Sequence, residues 1–180
     1  MDSINRQQPE VNQEDLSGDK AIEKLKELIE KNKTCFFCTH VQPGAPFAVR
    51  PMSVQELDDE GNLWFLSAKD SHKNAEIAED DLVHLLFQGS PHSDFLYVTG
   101  NATISTDKQM IKKLWEPLIK TWFTEGVDDP RITVIKVNPT EGYYWDNKHG
   151  NAIAFLKMTV GAITGKTLDD SIEGKLNMQH

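Results

Sequence analysis

Hydrophobic residues along this chain change period several times. Between residues 19 and 31, Ile22, Leu25, Leu28 and Ile29 recur at three- and four-residue intervals. That spacing gathers them on one face and predicts an amphipathic helix packed on a sheet. Ser17 or Asp19 stands where a helix cap would. The period then shortens: residues 34–39 (TCFFCT) are rich in strand formers, and Pro43-Gly44 marks a turn. In residues 47–54, Arg50, Met52 and Val54 share one face by the period of two. Pro51 removes a ladder donor there, so an edge strand or a bulge is expected. Asp58-Asp59-Glu60-Gly61 reads as a turn, and residues 62–68 (NLWFLSA) as the strand that completes a hairpin.

A short helix is predicted over 71–78, with Ser71 as its cap and the acidic run Glu79-Asp80-Asp81 at its end. Strands follow at 82–87 and 95–105, separated by the turn-forming QGSPHSD. Gly100 inside the second predicts a bulge or the close approach of another backbone. Asp107 stands as cap to a helix carrying Met110, Ile111, Leu114 and Trp115; Pro117 interrupts it, and Trp122-Phe123 follows. Residues 132–137 and 142–145 are the last clear strands, with Asn138-Pro139 between them, and 151–163 suits a helix or a strand equally. Many short antiparallel strands with a few helices predict a small barrel or an α+β fold. Domain limits follow: 1–18 a polar, disordered arm, 19–165 the folded domain, 166–180 a loose tail.

Composition narrows the function classes. With 180 residues and 20.4 kDa, one domain with a real core is expected. Hydrophobic content of 38% and mean hydropathy of -0.49 fit polar tails around it. A net charge of -9 and a pI near 5.1 argue against general nucleic-acid binding, which needs concentrated Lys and Arg. Neither a membrane-spanning apolar run nor the apolar core of a signal peptide is visible, so a cytoplasmic protein is expected. Cys35 and Cys38 form a Cys-x-x-Cys, but in a strand positions three apart face opposite sides, whereas redox pairs want a helix N-terminus. They read as structural thiols. The six histidines have no zinc spacing, and no nucleophile elbow or glycine-rich nucleotide loop is present.

The remaining chemistry gathers between Arg50 and Lys73. Arg50 stands at one end of the expected hairpin, and Ser67, Lys69, Ser71 and Lys73 stand at the other. Cations and hydroxyls at a helix start make an anion site. An ordinary cap with solvated lysines accounts for the same residues, but Arg50 within an apolar strand favours the anion.

The same segment, with Arg50-Pro51-Met52, Phe65-Leu66-Ser67, Ser71-His72-Lys73, the run 97–102 (YVTGNA), Trp122-Phe123 and Tyr144-Trp145-Asp146, resembles the pyridoxamine 5'-phosphate oxidase-like flavin proteins, and among them the general stress protein branch. The resemblance spans about residues 22–146. It implies a mainly β, α+β fold: an antiparallel Greek-key split barrel with flanking helices, assembled as a homodimer with FMN at the subunit interface. It puts Arg50 and Met52 along the cofactor, Leu66 and Ser67 against it from the next strand, and Ser71, His72 and Lys73 on the phosphate. Trp122 and Trp145 resemble positions from which a partner subunit approaches the flavin. The arginine-rich motif with which true pyridoxamine-phosphate oxidases grip substrate phosphate is missing: Trp145 is followed by DNKHGNAIAF. Phe95 replaces a flavin-contacting glutamine, and His72 an arginine of the phosphate clamp.

Three functions are therefore in play. One is an FMN-dependent oxidoreductase acting on a small molecule, with no residue marked as catalytic. The second is a non-catalytic flavin-binding stress or sensor protein. The third is a haem binder on the same barrel, for which the scattered histidines provide no clear axial ligand.

Overall fold

A computed structural model describes residues 12–91, 93–149, 159 and 170–179. The order of elements is β1 (Leu16–Ser17), α1 (Asp19–Lys31), β2 (Thr34–Thr39), β3 (Ala48–Ser53), β4 (Glu56–Leu57), β5 (Leu63–Ala68), α2 (His72–Glu79), β6 (Leu82–Gln88), β7 (Phe95–Ser105), α3 (Lys108–Leu114), β8 (Ile132–Asn147) and β9 (Ser171–Asn177). Two 3-10 turns, Pro117–Thr121 and Gly126–Asp128, lie between α3 and β8. Strands pair in the order β1-β9-β8-β7-β6-β2-β3, with β5 also on β8 and β4 on β5. The chain groups into two compact units, one of residues 1–32, 87–97 and 141–180, the other of 33–86 and 98–140.

In the first unit, α1 buries Ala21, Ile22, Leu25, Leu28 and Ile29, the stripe read from the sequence. Its N-cap is Gly18, with φ 57° and no side-chain bond. Neither Ser17 nor Asp19 caps it, because Ser17 is paired in β1 with Asn177 and Asp19 is already helical. β9 pairs antiparallel with the end of β8, Tyr144 opposite Gly174, and parallel with β1, Leu16 opposite Leu176. Ser171–Asn177 is thus a strand where a loose tail was expected, and Asn12–Ser17 is ordered against it where a disordered arm was expected. The short polar sequence hid this because the pairing depends on a missing side chain. A Cβ on Gly174 would sit 1.8 Å from the Glu14 carbonyl oxygen, which also accepts the Tyr144 hydroxyl at 2.9 Å. The expectations for residues 1–11, 166–169 and 180, and for 151–163 apart from Thr159, lie outside the described residues.

In the second unit, β2 and β3 pair antiparallel with Phe37 opposite Arg50 and Cys35 opposite Met52. β3 ends the strand order, which is where Pro51 is tolerated. The tight hairpin is β4–β5, not a pairing of the Arg50 strand with residues 62–68. Its turn is tied by Asp58, whose carboxylate accepts the Glu60 and Asn62 backbone N–H groups and the Trp64 indole N–H. β5 takes β8 as its long partner, Leu63 opposite Val137 through Ala68 opposite Ile132. β8 runs unbroken through Pro139, where two strands were expected. Gly100 explains the passage: a Cβ there would meet the Asn138 carbonyl oxygen at 2.3 Å. Phe37 and Phe65 pack edge to face at 5.3 Å in the core. Ile111, Leu114, Ile119, Phe123, Ile132 and Val134 form a further buried cluster, with Asp107 capping α3 through the Gln109 and Met110 N–H groups.

No helix among the described residues is long and apolar enough to cross a membrane. Both cysteines are buried and free. Burial, with a smaller contribution from Cys38, pushes the Cys35 thiol up to about 12; burial also raises Cys38 against the pull of Arg50. Neither is a ready thiolate.

Candidate anion and cofactor site

The site forms where the edge ribbon β2–β3 meets α2. Arg50 is opposite Phe37 and so points to the core side of the ribbon; Thr39, two residues from Phe37, is its diagonal neighbour on that face. Lys73 and Glu76 are three residues apart on α2 and so share one side of it. The Arg50 guanidinium donates from Nη2 to Glu76 Oε2 at 2.8 Å and from Nη1 to Thr39 Oγ1 at 2.9 Å. The Thr39 hydroxyl donates to the same carboxylate oxygen at 2.5 Å. Burial pushes the Glu76 pKa up, but Thr39, Arg50 and the nearby His40 together hold it below the usual range.

Lys73 behaves differently. Its side chain is buried, with 8% exposed, and it makes no hydrogen bond or ion pair with any described residue. Burial first, and then the repulsion of Arg50, lower its pKa to about 8, with Glu76 pulling the other way. No fully enclosed side-chain nitrogen or oxygen among the described residues lacks a partner, so this ammonium retains an opening to solvent. A buried cation with an opening and no partner among the described residues has an unmet demand for negative charge.

The start of α2 is fixed by a second polar network. Ser67 Oγ donates to Asn74 Oδ1 at 2.7 Å, Asn74 Nδ2 donates to Thr133 Oγ1 at 2.9 Å, and Thr133 Oγ1 donates to the Ser67 carbonyl at 3.0 Å. Ser71 is the N-cap and accepts the Asn74 N–H at 3.3 Å; its hydroxyl lies 3.3 Å from that of Ser67. Side chains from β5, α2 and β8 therefore dock the first turn of the helix and orient its amides.

The residues singled out from the sequence come together only in part. Arg50 lies near Lys73 of the first turn of α2, and Ser67 and Ser71 meet at the start of the same helix. Met52 is half-buried on the Arg50 face of β3, and His72 is exposed on the first turn of α2. Leu66 turns away from Ser67 and packs against the Ile111–Phe123 cluster. Trp122 is 70% exposed after the first 3-10 turn. Trp145 belongs to the other unit, 43% exposed and 4.7 Å from the Tyr143 ring. Lys69 is exposed. Thr39, Glu76, Asn74 and Thr133 were not foreseen. The i, i+3 spacing of Lys73 and Glu76 was the one local sign of them.

Comparison with known proteins gives the chain its family. Residues 20–169 match the family described as pyridoxamine 5'-phosphate oxidase like, and the chain belongs to that family. It is 26% identical over 157 residues to the protein bli-3 of Neurospora crassa, covering 82% of this chain and 75% of that one. A structure from Jannaschia sp. CCS1, described as a general stress protein 26, matches with a TM-score of 0.68 at 22% identity, over 86% of this chain and 96% of the other. The general stress protein 26 of Bacillus anthracis matches with a TM-score of 0.58 at 25% identity, over 68% and 92%. A general stress FMN/FAD binding protein from Xanthomonas citri matches with 0.56 at 22%, over 66% and 83%. The fold is thus the mainly β, α+β split-barrel type expected from the motifs, with the parallel β1–β9 pair added to its antiparallel strands.

Proposed function

We propose that this protein binds FMN, with the phosphate on Lys73 and the Ser71-capped start of α2. The observation that carries this reading is the buried Lys73 ammonium, open to solvent and without a partner among the described residues. The donor set suits a phosphate monoester: one full charge, the amides of a helix start, and the exposed His72 within the same turn. Ser67 and Asn74 orient this turn, and Arg50 and Met52 offer the half-buried face of β3 to the rest of the ligand. Leu66 contributes through its backbone, since its side chain turns to the other face. Bound FMN would supply hydride or electron transfer, and the chain binds, orients and shields it.

We further propose a homodimer with FMN at the subunit interface, approached by Trp122 and Trp145 of the partner. Exposed apolar side chains support it: Phe36 and Val49 lie on the outer face of β2–β3, and Leu82 and Leu86 on the outer face of β6, each more than 40% exposed. A small-molecule oxidoreductase and a flavin-binding stress or sensor protein without turnover share this site. The absence of an arginine after Trp145 favours a substrate other than pyridoxamine phosphate and lends weight to the second reading. The proposed setting is cytoplasmic.

The absorbance spectrum of the purified protein tests the cofactor. FMN bands at one flavin per chain are expected; a colourless protein that ignores added FMN overturns the proposal, and a Soret band replaces it with a haem binder. Ser71→Ala with Lys73→Ala should weaken FMN binding while the fold is retained; unchanged affinity would mean that the phosphate sits elsewhere. Reduction of the bound flavin by NADH or NADPH, with turnover against an acceptor, distinguishes an enzyme from a sensor.

A further inference from the structure

The Lys73 site contains its own competitor for an anion. Glu76 lies one helical turn from Lys73, and its carboxylate already occupies the Arg50 guanidinium and the Thr39 hydroxyl. Only Arg50 contacts that carboxylate, and Lys73 feels its charge from nearby. An arriving anion finds Lys73 free, Arg50 engaged, and a negative charge beside its seat. The Arg50 and Glu76 side chains are 23% and 18% exposed, so neither is sealed in, and the pair can part without stranding a charge.

We propose that Glu76 is an internal counter-anion that sets the affinity and selectivity of the site. It holds Arg50 in reserve, so that tight binding requires a ligand able to take Lys73 and then replace the carboxylate on Arg50. A phosphate monoester does both: it carries two charges and several acceptor oxygens, and it suits the forked donors of a guanidinium. A singly charged carboxylate can only exchange like for like with Glu76 and gains little. The inference rests on the anion seat at Lys73 proposed above and adds a residue that works against binding there.

Glu76→Gln keeps the shape and removes the charge. FMN, riboflavin and inorganic phosphate would be titrated into the wild-type protein and the variant at one fixed salt concentration. FMN and phosphate should bind about tenfold tighter to the variant, the scale expected for losing one nearby like charge. Riboflavin, which lacks the phosphate, should be unchanged. Unchanged or weaker FMN and phosphate binding by folded E76Q overturns the proposal and makes Glu76 a strut that positions Arg50. Thr39→Val decides the matter if E76Q fails to fold. It leaves the carboxylate with one tie fewer, and about a threefold gain in phosphate affinity is expected; a loss overturns the proposal. If the wild-type protein binds no FMN, the flavin reading fails on its own, and the phosphate titration still decides the role of Glu76.

Discussion

Two clusters of partly buried charge in this protein balance their cations and carboxylates differently. In the first unit, Lys24 and Lys31 of α1 meet Asp146 of β8, Asp94 and Glu27: Lys24 lies 2.5 Å from Asp146, Lys31 2.6 Å from Asp94, and Glu27 within 3.2 Å of both lysines. In the second, Arg50 holds Glu76, and Lys73 stands nearby without an ion pair among the described residues. The first cluster matches each cation with a carboxylate. Burial works against the Asp94 carboxylate and the Lys31 ammonium, but Lys31 and two serines hold Asp94 well below the usual range, and Asp94, Asp146 and Glu27 hold Lys31 above its own. In the second cluster one cation is left over, and its pKa falls. Matched charges fasten α1 to its unit; the unmatched one withholds stability that the proposed ligand would return.

The largest test is to unbalance the matched cluster. Asp146→Ala removes the buried partner of Lys24, whose side chain is only 16% exposed, and also an acceptor of the Asn147 N–H. A loss of about 2–3 kcal/mol is expected in urea unfolding, because the mostly buried Lys24 keeps only the exposed Glu27, at 2.9 Å, as its partner. Asp94 and Glu27 in this cluster have depressed pKa values, so their contribution is complete above the unfolded carboxylate range near pH 4 and is lost as pH falls below it. A loss of only a few tenths of a kcal/mol would erase the distinction between the clusters.

The opposite sign is expected at Lys73. Its folded pKa of about 8 lies below the ordinary 10.5, so between those values the unfolded chain binds more protons than the folded one. Stability contributed by this group therefore rises with pH from about 8 to 10.5, and below pH 8 it is diminished by about 3 kcal/mol at most. Lys73→Met should remove that pH dependence and gain about 1–2 kcal/mol at pH 7 in the absence of ligand, part of the penalty having been relieved already by nearby solvent. FMN binding should weaken in the same variant. Gain of stability with loss of ligand is the signature of a binding residue; loss of both would make Lys73 a structural cation like Lys24.

These clusters also show why part of the molecule was legible in its sequence. α1, α2 and β7 were readable because one strong local signal marks each: the Ile22–Ile29 stripe, Ser71 before α2, Gly100 where another backbone passes. Ser71, Lys73 and Arg50 stood out for the same reason, as cap and cations in short range. The expected hairpin did not, because β3 pairs back to β2 while β5 pairs with β8, and residue pattern is silent on which neighbour a strand chooses. β9 was hidden because its place depends on Gly174 admitting the Glu14 carbonyl. Thr39 and Glu76 complete the site only once a strand diagonal and a docked helix bring them to Arg50, so neither carries a local mark.

The smallest effect belongs to Ser71, and it sharpens the comparison by separating cap from charge. Its hydroxyl accepts the Asn74 N–H at 3.3 Å, a long bond, and stands beside Ser67 and the Asn74 side chain. Ser71→Ala should therefore cost about 0.5–1 kcal/mol, the lower part of the range for losing a cap, with no dependence on pH between 8 and 10.5 beyond that of the wild type. The Ser67–Asn74–Thr133 bonds remain to hold the first turn, so FMN affinity should fall only about two- to threefold. Chemical unfolding and flavin titration of the same preparation measure both numbers. If Ser71→Ala weakened FMN as much as Lys73→Met, the hydroxyl rather than the ammonium would be the main anchor. The contrast between a matched and an unmatched cluster would then concern stability alone.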